Sequence, residues 1–224
     1  VRAAAIATTL QMSMIRSAEA HGHGRRKRKV RCPYGDPVPT YDEVTGLPLI
    51  GLPPGFRYWS YGWAGDPLLP GLRNGPITPS AHDGMGVVRQ VGPLAILCRN
   101  HEVGPAAAFM DGRLRYSPAG GGGNTNLMFD TRRKKWLSAW PSLSGTVSNC
   151  AGGITHRGSW LSCEETTQTT TSGDKTYAHG WVFEVPSVQT AKARPILGMG
   201  RRAHEAAAVD PLTGILYLTQ DATP

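Results

Sequence analysis

Three short segments of the chain follow one pattern: HDGMGV at 82–87, NCAGGI at 149–154 and HEAAAV at 204–209. Each is a polar residue, a residue able to ligate a metal (Asp83, Cys150, Glu205), three small or flexible residues and a β-branched residue. Each leads through a short turn into a second run with a polar end: LAILCRN (94–100), SWLSCE (159–164) and GILYLTQD (214–221). In the third turn, DPLTG, proline presets φ and glycine accepts a positive one. Further strand pairs lie between the copies, NLMFD with KWLSAW and GWVFEVP with PILGMG. The ligand-type residues recur at 83, 150 and 205, intervals of 67 and 55 residues that each hold four antiparallel strands. No amphipathic helix follows residue 32, so the fold class is all-β, and the repeat predicts a β-propeller. A β-sandwich also produces many short strands with turn signals. It does not ask for the same residue type at the same place in every unit.

In an antiparallel hairpin the start of the first strand lies beside the end of the second. That places Asp83 near Asn100, Cys150 near Glu164, and Glu205 near Asp221. If the first strand of each blade lines the axis, all three pairs converge on one end of a channel, and the small triplets fit the crowded axis. Carboxylates gathered there repel one another and lose hydration unless a cation neutralises them. Oxygen ligands suit calcium, and an added thiolate suits a transition metal such as iron or zinc. A disulfide from Cys150, or a hydrogen-bonded polar plug, is the alternative. Alternation sends Glu164 and Glu165 to opposite sides of their strand; the hairpin register favours Glu164 facing the channel, with Glu165 as the other candidate. His101 and Glu102 (RNHE) are further possible ligands, although a loop carboxylate is often merely solvated. Arg201 and Arg202 precede His204-Glu205 and are placed to clamp a phosphate bidentately; a solvated turn explains them equally well. The run GGGGNTN (120–126) lacks the GK[ST] of a phosphate-binding loop.

The net charge of +8 suggests nucleic acid until it is located. Eight of the 24 basic residues precede residue 32, with Glu19 as the one acid there, and the remainder is close to neutral. The positive charge therefore belongs to a tail and gives no reason to expect nucleic-acid binding by the domain. Residues 1–32 read as a signal-peptide-like segment and basic tail: a modestly apolar run, then Ala18-Glu19-Ala20 as an A-x-A cleavage pattern. The run is too short and polar for a permanent membrane span. Export to the periplasm or beyond is the expectation, and the four cysteines, Cys32, Cys98, Cys150 and Cys163, then permit two disulfides. Residues 33–80 form a Pro/Gly-rich extended lead-in with one strand expected at FRYWSYGW, and 81–224 form the partial propeller.

LPPGFRYWSYGWAGDP, AHDGMGVV, RNHE, NTNLMFDTR, LSAWPSLSGTVSNCAGG, SWLSCEE, HGWVFEVP and GRRAHEAAAVDPLTGILYLTQD together resemble the PhoX-type alkaline phosphatase family of exported bacterial proteins. The resemblance runs from about residue 47 to the end. It implies a six-bladed propeller holding calcium and ferric iron and hydrolysing phosphate esters. By position it makes Cys150 the iron-ligating thiolate and Glu164 and Glu205 metal-bridging carboxylates; Asp83, Asp221 and Glu165 remain candidate ligands from the hairpin geometry. The sequence stops at TQDATP inside the third repeat, so about two and a half blades are expected here, with the remainder of the propeller as their partner. A calcium-dependent lactonase-like propeller and a non-catalytic binding propeller of the cell envelope are the competing functions.

Overall fold

A computed structural model describes residues 33–68, 75–188 and 191–221. The signal-peptide-like segment, the basic run and Cys32 lie outside the described residues. Those described are all-β, with two single 3-10 turns at Gly112–Leu114 and Leu197–Met199. A short hairpin, β1 (Val38–Thr40) with β2 (Ile50–Leu52), opens the described chain. Blade I is a four-stranded antiparallel sheet of β3 (His82–Val91), β4 (Leu94–His101), β5 (Gly122–Asp130) and β6 (Lys135–Thr146), in that order. Blade II orders β7 (Asn149–Ile154), β8 (Ser159–Glu164) and β11 (Val182–Pro186). A side hairpin, β9 (Thr169–Ser172) and β10 (Lys175–Ala178), leaves it between β8 and β11. Blade III is the pair β12 (His204–Val209) and β13 (Leu216–Gln220). No sheet closes on itself; the blades form an open propeller arc, as the repeat predicts.

Apolar layers between the sheets hold the arc together. Val88, Ile96, Cys98 and Leu143 of blade I meet Trp160, Phe183 and Val185 of blade II. Leu161, Cys163 and Val182 of blade II meet Ala207 of blade III. A third layer joins Leu127 and Ala139 of blade I to Leu68 and Tyr61 of the lead-in. Two expected strands are absent. The segment FRYWSYGW is not a strand; two of its rings pack on blade I, Tyr61 stacked on Trp136 at 5.2 Å and Trp59 tilted against Phe129, with Trp136 Nε1 donating to the Trp59 carbonyl at 3.1 Å. PILGMG supplies one bridge, Phe183 to Pro195, before turning into a 3-10 turn. Proline has no N–H to extend the ladder, so blade II has three strands where four were expected.

Asp42 anchors the lead-in. Its carboxylate accepts the Ser60 backbone N–H at 2.7 Å and the Thr45 backbone N–H at 2.9 Å, together with both residues' hydroxyls. Burial alone would raise its pKa, but the bonds from Ser60 and Thr45 outweigh that and hold it well below the usual carboxylate range. A lowered native pKa contributes stability above the unfolded value, near 4, that disappears as pH falls through the native one. Asp42→Asn is therefore expected to lower the melting temperature at pH 7, with the gap to wild type narrowing below about pH 4. A gap independent of pH would show that the charge is not what matters.

Candidate metal centre

The three repeated segments become β3, β7 and β12, the neighbouring innermost strands of the three blades. Each carries a β-bulge at the same place. Register shifts fall between His82 and Met85, between Asn149 and Gly152, and between His204 and Ala207. Two residues of the inner strand thus face one of its partner: Asp83-Gly84, Cys150-Ala151 and Glu205-Ala206 are the bulged pairs. A bulge leaves its extra residue out of the ladder and re-aims its side chain. Here it turns all three ligand-type residues toward one another.

The Cys150 thiol sits between two acidic groups, with Sγ 3.7 Å from Asp83 Oδ1 and 3.5 Å from Glu205 Oε1. Two triads share it: Asp83, Glu102 and Cys150 form one, and Cys150, Glu165 and Glu205 the other. Within each triad the ligand atoms lie within 4.8 Å of one another. Metal–oxygen and metal–sulfur bonds of about 2.0–2.5 Å span such separations, so the donor set fits a cation in each triad. The electrostatics agree. Burial, and then the carboxylates of Glu165, Asp83 and Glu205, push the Cys150 thiol upward. Burial likewise raises Glu102, with Asp83 and Glu165 adding to it, and raises Glu165, with Glu205 and Asp221 adding to it. A bound cation would oppose these upward shifts, because metal ligands bind in their deprotonated forms.

Glu164 is turned away from this cluster, against the register expectation. The bulge makes Asn149, not Cys150, its pairing partner, and alternation then sends Glu165 to the thiol. Glu164 is fully buried. Its Oε1 accepts the Val147 N–H at 2.8 Å and His179 Nδ1 at 2.6 Å, and its Oε2 accepts the N–H groups of Gly180 and Trp181 at 2.8 and 3.1 Å. His179 continues through Thr170 to Ser117 at 2.8 and 2.7 Å. His101 is also occupied elsewhere, bonded to the Ser80 carbonyl at 3.1 Å and the Thr125 hydroxyl at 2.9 Å. Burial, then the nearby Arg99 charge, pulls its pKa down to about 3 and keeps it neutral. Asp221 lies exposed just beyond β13 and belongs to neither triad. Arg201 donates Nε to the His179 carbonyl at 2.7 Å and Nη2 to that of Thr167, bracing two loops. Arg202 is exposed, and among the described residues neither arginine pairs with a carboxylate. Cys98, Cys150 and Cys163 are free thiols, so the described cysteines form no disulfide.

Asn100 was expected only as a neighbour of Asp83, and its role is larger. Its Nδ2 donates to the carbonyls of Cys150 and Ala151 at 3.0 and 2.7 Å, while Oδ1 accepts from Trp160 Nε1 at 2.9 Å. Blade I thus supplies the donor that satisfies the bulged carbonyls of blade II. The signal in the sequence is the recurrent polar end of the second strand, but one sequence does not tell a brace from a ligand.

An open arc of blades gathers thiol and carboxylate groups at the bulges of its inner strands, the arrangement of a propeller protein with a candidate cation site at one end. A family model described as alkaline phosphatase PhoX matches residues 34–139 and 118–224. The chain belongs to the PhoX alkaline phosphatase family, whose general activity is of the alkaline phosphatase type. No curated protein and no solved structure matches the chain. No described helix is long and apolar enough to cross a membrane.

Proposed function

We propose that the chain supplies the metal-holding end of an exported phosphoric monoester hydrolase. The observation that carries this reading is the pair of triads sharing Cys150 in a chain of the PhoX family. Cys150, Glu165 and Glu205 form the thiolate-bearing set suited to ferric iron, and Asp83 and Glu102 add the carboxylates suited to calcium. Bound cations would supply Lewis-acid polarisation and neutralise charge on a phosphoryl group. The chain's own part is to present its carboxylates and thiol from three blades at once, held by Asn100 and the bulges. Arg202, exposed three residues before Glu205, is the better candidate for a phosphate clamp, because Arg201 already spends donors on loop carbonyls.

The test combines elemental analysis with hydrolysis of an aryl phosphate at alkaline pH. Iron and calcium are expected to copurify with the protein, and chelation to abolish turnover. Cys150→Ser is expected to release iron and lower turnover about a hundredfold or more. Metal content and activity unaffected by that change would remove the thiolate from the site. Lactone turnover without phosphatase activity would favour the lactonase reading instead.

A further inference from the structure

Blade I holds a buried cation that no part of the metal centre uses. Arg99, on β4, is 6% exposed and belongs to no ion pair among the described residues. Its Nη1 donates to the Tyr61 carbonyl at 3.3 Å, while Nε and Nη2 are buried with no hydrogen-bond partner among the described residues. The lead-in turns tightly over it: Gly62 has φ +69°, and a Cβ there would lie 2.9 Å from Nη2. The undescribed internal segment 69–74, LPGLRN, contains no carboxylate that could pair with it. Burial pulls the Arg99 pKa down to about 10, partly offset by Tyr61, which leaves it charged at neutral pH. A buried, unpaired guanidinium is costly, and an oxyanion is its natural complement.

Arg99 also lines an open cleft of about 310 Å³, together with Trp59, Tyr61, Trp63, His82 and Trp136. Tyr61 and Trp136 stack on one another, 23° from parallel, and both line the cleft with aromatic surface. A cation among indole and phenol rings suits a ligand with a planar apolar body and one anionic end. We propose that this cleft is a binding site, separate from the Cys150 cluster, for a small oxyanion carried on an aromatic ring. Carboxylate and phosphate share that chemistry, and the test distinguishes them.

Trp59, Trp63 and Trp136 make tryptophan fluorescence a direct reporter. The chain, kept in chelator so that the metal centre does not contribute, is titrated with benzoate and with phenyl phosphate. Benzyl alcohol and inorganic phosphate serve as the neutral and ring-free controls. Saturable quenching by at least one aryl anion is expected, about tenfold tighter than by either control, with a rise in melting temperature on binding. Benzoate alone would identify a carboxylate ligand, and phenyl phosphate alone a phosphate. Arg99→Gln is expected to weaken binding about tenfold or more, while Cys150→Ser leaves it unchanged. Trp63→Ala, at the 47% exposed rim, is expected to weaken binding without disturbing the fold and replaces Arg99→Gln should that variant not fold. The proposal fails if neither aryl anion gives saturable quenching. It also fails if affinity is unchanged in folded Arg99→Gln, or in Trp63→Ala where the arginine variant does not fold.

Discussion

Glu164→Ala is expected to cost the fold about 3 kcal/mol or more, because each buried donor left without its acceptor costs roughly 1–3 kcal/mol. The glutamate collects four donors from two parts of the chain: Val147 between the blades, and the His179 ring with the Gly180 and Trp181 amides in the link from the side hairpin to β11. Alanine would leave the three buried donors of Val147, His179 and Gly180 without that acceptor. Chemical denaturation measures the loss, and the informative comparison is Glu165→Ala. Glu165 adjoins Glu164 in sequence but faces the acidic cluster, where removing a carboxylate relieves repulsion. In chelator, Glu165→Ala should stay within about 0.5 kcal/mol of wild type, or gain slightly. In metal it should lose bound cation. Equal losses for the two variants would erase the distinction between the buried brace and the candidate ligand.

Gly153→Ala is the second large effect. Gly153 lies on β7, where it crosses β12 of the next blade. A Cβ added there would sit 1.8 Å from the Ala207 carbonyl oxygen and 2.7 Å from its carbonyl carbon. No flexible side-chain end can yield, because the obstacle is backbone of the adjoining inner strand. Overpacking typically costs about 1–3 kcal/mol, and a clash this close should reach or exceed the upper end. The blades must part for the methyl group to fit, so hydrogen exchange should accelerate across β12 and β13 before it does in blade I. Gly104→Ala, which meets nothing within 4 Å, is the matched control. Similar exchange in the two variants would refute tight packing at the blade II–III seam.

The hairpins were legible because their apolar runs and turn residues are local, and the recurrence of Asp83, Cys150 and Glu205 marked the end of the blades where the cluster forms. Side-chain direction within that cluster was not legible. A bulge shifts the alternation by one residue, and nothing in NCAGGI announces the shift; strict pairing therefore sent Glu164 to the thiol in place of Glu165. Asn100 was hidden for a related reason, since its partners are backbone carbonyls of the next blade, which carry no sequence signal. The aromatic run FRYWSYGW misled in the other direction. Its alternating rings imitate a strand, while its backbone is bent by Gly62 at φ +69° and Tyr61 and Trp59 pack on blade I. PILGMG is apolar enough for a strand, but Pro195 ends the ladder after one bridge.

The repeated bulge separates two kinds of information that proteins usually have to encode together. Residues inside a ladder are constrained by pairing, so changing their chemistry disturbs the sheet. The bulged residue has no rung to keep. Asp83, Cys150 and Glu205 occupy the same backbone socket in three blades with three different side chains, which shows that the socket tolerates exchange. Side-chain chemistry can therefore change at these three positions while the strand pairing that builds the blades stays the same.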